Sequence, residues 1–124
     1  MKRPEETLHR QVVAFLRVAL PPSIPFYHVP SQRGTRSRAE MGVLKALGVK
    51  PGVPDLCFVM PTGMAAFIEL KAPKGKLTDS QTTFKDIVQE AGAYWAEARS
   101  LGEVETILNT WLQPWGHKLR ARAT

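Results

Sequence analysis

Three residues stand where an ordinary strand would carry apolar side chains. Asp55 opens the run Leu56-Cys57-Phe58-Val59-Met60, and Glu69 and Lys71 interrupt the apolar stretch Ala65-Ala66-Phe67-Ile68. Carboxylates are poor strand formers and costly to bury unpaired. Two acids and a lysine on neighbouring strands therefore need partners. A salt bridge is the plainer solution, and a divalent cation is the one that does chemistry. Mg²⁺ takes oxygen ligands and commonly only one or two protein carboxylates. Asp55 and Glu69 can supply these, with the backbone carbonyl of Leu70 as a further ligand. An ion so held would polarise a phosphate and lower the pKa of a bound water. Lys71 would lie beside that water and offset charge developing on the phosphate.

The geometry is demanding. Glu69 and Lys71 are two apart on a strand and share a face. Residues 55–60 and 65–71 read as a hairpin. Asp55 faces Glu69 or Lys71 only across an odd-length loop near 61 to 65. A two-residue Thr62-Gly63 turn would send it to the opposite face. The site thus requires an odd loop, a bulge or diverging strand ends.

The elements that must position these residues follow from local signals. Pro4 and the stripe Leu8, Val12, Phe15, Leu16 and Ala19 predict a helix over 4–20, ended by Pro21-Pro22. Glu5 lies on that stripe, where a carboxylate can point inward, although a first-turn acid also suits the helix dipole. Residues 26–29 read as a short strand, 31–37 as a polar loop, and 38–47 as a short helix closed by Gly48. Lys50 to Pro54 is turn-like. After the hairpin comes a basic loop, 72–77. A helix over 78–91 then starts at Thr78, with Gln81 as capping-box partner, and stops at Gly92. Residues 93–98 form a strand and 101–113 a last helix. Neither a repeat nor a low-complexity segment interrupts this order. It predicts an α/β fold, a mixed sheet flanked by helices.

Composition sets the boundaries. With 124 residues, 44% hydrophobic and 23% charged, the chain fits one globular domain over 1–124, with about 114–124 as a possible flexible basic tail. The apolar runs fall short of a bilayer span, and the start lacks the apolar region of a signal peptide, so a soluble, cytoplasmic protein without membrane partners is expected. Cys57 is the single cysteine and reads as a buried strand thiol. Seventeen Lys and Arg against 11 Asp and Glu give a formal net charge of +6, which favours a polyanionic partner. Lys74 and Lys76 follow Lys71 directly. Arg33 and Arg36 flank Gly34, where glycine permits close backbone approach and arginine binds phosphate bidentately. A solvated basic loop is the plainer reading of that segment. His28, between prolines, reads as structural, and His9 and His117 have no assigned partner.

The ordered set Gly52-Val53-Pro54-Asp55-Leu56 and Phe67-Ile68-Glu69-Leu70-Lys71 resembles the PD-(D/E)xK nuclease signature. More specifically, the chain resembles the VRR-NUC family, the virus-type replication-repair nuclease domain. That pattern has a Glu on the first helix, a GxPDL segment, an ExK strand and a Gln on the next helix. These correspond to Glu5, Asp55, Glu69 with Lys71, and Gln81. The runs Lys45–Gly52 and Gly75–Gln81 also look like the family, and the likeness extends over about residues 4 to 112. The resemblance implies a restriction-endonuclease-like fold, Mg²⁺ or Mn²⁺ dependence and hydrolysis of DNA phosphodiesters. In it Asp55 and Glu69 are metal ligands, and Lys71, Gln81 and Glu5 complete the catalytic pocket; the basic residues Arg33, Arg36, Lys74 and Lys76, with Gly34, are expected from their charge and placement to contact DNA. Stand-alone members resemble Holliday-junction resolvases and act as homodimers on branched DNA. Others serve DNA repair, and short forms are common in phages and bacteria. A non-catalytic DNA-junction binder on the same fold is the main alternative.

Overall fold

The computed structural model describes residues 4–30 and 37–120. Helix α1 (Pro4–Ala19) buries Leu8, Val12, Leu16 and Ala19, the predicted stripe. Strand β1 covers only Phe26–Tyr27. The chain leaves the sheet at His28, whose ring turns to the Asp55 carbonyl instead. Helix α2 (Arg38–Ala46) is capped by Ser37, whose hydroxyl accepts from the Glu40 N–H at 3.1 Å, and it buries none of its side chains. Strand β2 (Leu56–Val59), a tight turn at Pro61–Gly63 and strand β3 (Ala65–Leu70) form the hairpin. Helix α3 (Asp79–Glu90), strand β4 (Tyr94–Ala98) and helix α4 (Leu101–Leu112) follow. Among the described residues, no helix is long and apolar enough to cross a membrane.

The sheet order is β1-β2-β3-β4. The first three strands are antiparallel neighbours, and β3 pairs with β4 in parallel. The parallel pair needs a crossover, and α3 provides it. On one face, Leu56, Phe58, Ala66, Ile68, Leu70 and Ala98 form the core with α1 and α4. On the other, Phe67 meets Phe84 of α3 edge to face, with ring centroids 5.2 Å apart.

Register decides the hairpin question. Leu56 pairs with Ile68 and Val59 with Ala65, leaving residues 60–64 as an odd, five-residue connection. Thr62 (φ 68°) and Gly63 (φ 80°) take left-handed conformations there, and the Met60 N–H closes the loop on the Met64 carbonyl at 2.8 Å. Continued by one step, that register sets Asp55 opposite Glu69. The strands also diverge: β2 begins at Leu56, just after Asp55.

Beyond α4, Gln113–Trp115 forms a single 3₁₀ turn. Trp115 lies beside Tyr94 at 6.3 Å between ring centroids. Leu119 is buried, its N–H donates to Asn109 Oδ1 at 2.8 Å, and the Arg120 N–H donates to the Ala19 carbonyl at 2.8 Å. The segment from 114 to 120 is thus fastened to α1 and α4.

Candidate active site

Four polar side chains are buried among the described residues: Asp55, Glu69, Lys71 and Gln81. All four were singled out by sequence. Asp55, Glu69 and Lys71 stand at the end of the hairpin remote from its turn, where Gln81 of α3 reaches Glu69. Asp55 sits where the β2–β3 ladder gives out. Its Oδ2 accepts the Leu70 N–H at 2.8 Å, so a side chain replaces a backbone partner and is oriented by it. Glu69, only 1% exposed, accepts at Oε2 from Gln81 Nε2 at 3.3 Å. Lys71 continues β3 through its N–H to the Ala98 carbonyl at 3.0 Å. Its stem runs beneath Gly75, where an added Cβ would lie 3.5 Å from Lys71 Cδ.

Gln81 serves two purposes at once. Its Oε1 accepts the Thr78 N–H at 2.9 Å while Thr78 Oγ1 accepts the Gln81 N–H at 3.2 Å, a complete capping box. Its other end faces Glu69. A backbone N–H needs an acceptor and a carboxylate needs a donor, so the two partners fix which way the amide lies.

Gly52 sets the spacing between these parts. At φ 87° it holds a left-handed conformation that side chains resist, and a Cβ there would overlap the Ser80 carbonyl. The loop before Asp55 can therefore rest directly on the first turn of α3, next to Gln81.

Sequence reasoning overlooked two kinds of neighbour. Glu97 is the register partner of Glu69 on β4, which adds a third acid beside the pair. Arg99 answers its charge, with Nη2 on Glu97 Oε2 at 3.1 Å. Arg99 Nη1 also donates to the carbonyls of Ala72 at 2.6 Å and Pro73 at 3.2 Å, which ties down the basic loop after Lys71. The strand expected over 93–98 contains Glu97, and the parallel register sets it beside Glu69. The second kind is histidine. His9 Nδ1 lies 3.9 Å from Asp55 Oδ1, and His28 Nδ1 lies 2.7 Å from the Asp55 carbonyl oxygen. The available signal was slight: His9 is one helical turn after Glu5 on α1.

The remaining predicted residues are placed as follows. Glu5 is half-buried in the first turn of α1. Leu70 meets Asp55 through its N–H rather than through the carbonyl proposed as a ligand. Lys74 and Lys76 are exposed on the loop after Lys71. Arg33, Gly34 and Arg36 lie outside the described residues. Cys57 is buried on β2, and burial pushes its thiol up to about 11. A hydrogen bond with Tyr27 acts against this rise and the Asp55 charge adds to it.

The donor set suits a hard divalent cation. Two carboxylates approach from the start of β2 and from β3, each with one oxygen accepting an N–H, Asp55 Oδ2 from Leu70 and Glu69 Oε2 from Gln81.

Comparison with known proteins agrees with this architecture. The model of the VRR-NUC domain matches residues 30–101, more than half of the chain. The chain belongs to the VRR-NUC domain family. A solved VRR-NUC domain structure aligns over 94% of this chain and 100% of its own, with a TM-score of 0.54 at 17% identity, a likeness of fold. No curated protein matches the chain. The four-stranded mixed sheet with its flanking helices is a restriction-endonuclease-like α/β fold, and the domain is of nuclease type.

Proposed function

We propose that this chain is a divalent-metal-dependent endonuclease that hydrolyses phosphodiester bonds of DNA. The observation that carries the reading is the burial of Asp55, Glu69 and Lys71 together at one end of the β2–β3 hairpin. Burying three ionisable groups in so small a domain is costly, and a fold built only for stability would place apolar residues there. Asp55 and Glu69 would hold Mg²⁺ or Mn²⁺, with the Leu70 carbonyl as an added ligand. The chemistry such an ion supplies is polarisation of the phosphoryl group and acidification of water. Lys71 would orient the attacking water and balance negative charge on the phosphate. Gln81, held by the capping box, would keep the Glu69 carboxylate in one orientation. Glu5 would close the α1 side of the pocket. Exposed Lys74 and Lys76 would meet the DNA backbone together with Arg33, Gly34 and Arg36.

Branched DNA is the proposed substrate and a homodimer the proposed working form. Two-fold symmetry would set two such sites on opposite arms of a junction. The exposed apolar residues Met41, Val43 and Leu47 in and just after α2 offer surface for a second copy.

The test is cleavage of labelled four-way junction, flap and plain duplex DNA by wild type and Glu69→Gln, with Mg²⁺ or with chelator. Cutting by wild type in Mg²⁺ alone, lost in Glu69→Gln, is the expected result. Tight junction binding in chelator with no cutting by either protein would instead make the chain a binding module. Sedimentation of the protein with and without junction DNA checks the dimer.

A further inference from the structure

We propose a second ligand set on the α1 side of Asp55, formed by His9, His28 and the Asp55 carboxylate, that takes a first-row transition-metal ion. One ligand atom from each of the three lies within 4.8 Å of the other two. They come from three separate places: α1, the chain just after β1, and the start of β2. Chain proximity therefore does not account for their meeting.

Two of the three donors are held by hydrogen bonds. The Asp55 carbonyl can only accept, so the 2.7 Å bond from His28 puts the proton on Nδ1 and leaves Nε2 as the lone-pair nitrogen. A backbone carbonyl on the far ring nitrogen is the usual way a metal-binding imidazole is held. The Asp55 carboxylate is turned by the Leu70 N–H on Oδ2, which leaves Oδ1 toward His9. The two rings stand edge to face, 4.4 Å between centroids and 88° apart.

The spacing suits an ion. Ligands about 2.1 Å from a metal lie roughly 3.4 Å apart in a tetrahedron and up to about 4.2 Å apart when opposed. The 3.9 Å between His9 Nδ1 and Asp55 Oδ1 is inside that range, and all three ligand atoms lie within 4.8 Å of one another, so an ion would draw the set together. Two imidazoles and one carboxylate leave further positions open, and they favour Mn²⁺, Co²⁺ or Zn²⁺ over Mg²⁺, which keeps to oxygen. The inference deepens the nuclease reading by assigning Asp55 to two ligand sets, one of carboxylates and one with nitrogen, and it names a cation class for the second.

The experiment uses tag-free, DNA-free protein with Co²⁺ and Mn²⁺ as probes. Equilibrium titration followed by visible ligand-field absorption reads Co²⁺ binding, and pulsed electron paramagnetic resonance of bound Mn²⁺ reads nitrogen coupling. Wild type is expected to bind Co²⁺ at least tenfold more tightly than Mg²⁺ and to show histidine nitrogen coupling. His9→Ala and His28→Ala should each weaken Co²⁺ binding by about 10- to 100-fold. His117→Ala should not change it, and Glu69→Gln should keep the nitrogen coupling. Bound Mn²⁺ without nitrogen coupling in wild type, or equal Co²⁺ affinity in wild type and both folded histidine variants, would overturn the site. If a histidine variant fails to fold, the wild-type coupling alone decides. These readouts involve no DNA. Their failure leaves the nuclease assignment to the cleavage test, and failure to cut leaves the histidine site to these measurements.

Discussion

The two faces of the sheet are built on opposite terms. Under α1 and α4, Leu56, Phe58, Ala66, Ile68 and Leu70 are almost wholly buried among other apolar side chains. The α3 side of the same strands carries Cys57, Phe67, Glu69 and Lys71, one thiol, one ring and two charges in alternate positions. On β4 only Ala98 is fully buried, and Tyr94, Trp95, Ala96 and Glu97 are half-buried on both faces. One face supplies stability by close packing. The other spends part of that stability on polar groups held in fixed orientations, which is what a reacting site requires.

That contrast can be broken experimentally, beginning with the packed face. Phe58→Ala should cost about 3–5 kcal/mol in denaturant unfolding, because the cavity cannot collapse between the sheet and α1. On the other face, Lys71→Ala should lower DNA cutting by about 10²–10³-fold while the thermal midpoint holds or rises. A large loss of stability in Lys71→Ala would instead mean that the lysine is a structural prop. Gly52→Ala tests how the faces are joined: strain and overlap with Ser80 should cost about 1–3 kcal/mol, and cutting should fall with it. Gln81→Ala keeps the Thr78 hydroxyl on its backbone N–H but removes the side-chain half of the capping box and the Glu69 contact together, and should cost about 1 kcal/mol. Gln81→Glu keeps the Thr78 cap but sets a carboxylate against Glu69. A comparison of the two variants by unfolding and by cutting separates the cap from the site.

The smallest effect belongs to Cys57. Its folded-state pKa of about 11 stands above the ordinary 9.0, so its contribution to stability is complete below about pH 9 and fades as pH rises toward 11. Alkylation of the native thiol at pH 8 should be far slower than in denaturant. Rapid labelling of folded protein would show that β2 opens.

Much of the fold was legible because its signals are local. A stripe at helical spacing, a capping box and prolines at helix ends each act within a few residues, and α1, α3 and α4 appear within a residue or two of their expected bounds. The polar residues of the site were legible for the same reason: Asp55, Glu69 and Lys71 contradict the apolar pattern around them. β1 was read two residues too long, because nothing local says that His28 will trade a ladder position for the Asp55 carbonyl.

What depended on the folded chain were relations across distance. Pattern alone allowed Asp55 either face of the hairpin. The five-residue connection with left-handed Thr62 and Gly63 selected the register, a matter of how a turn fits two twisted strands. The capping box was visible in the sequence, but the reach of Gln81 to Glu69 depends on Gly52 letting a loop lie against α3. The gathering of His9 and His28 around Asp55 joins residues 46 and 27 positions away, which no periodicity encodes. Local hydrogen bonding and side-chain spacing choose the elements. Steric fit between elements chooses which of their polar atoms meet.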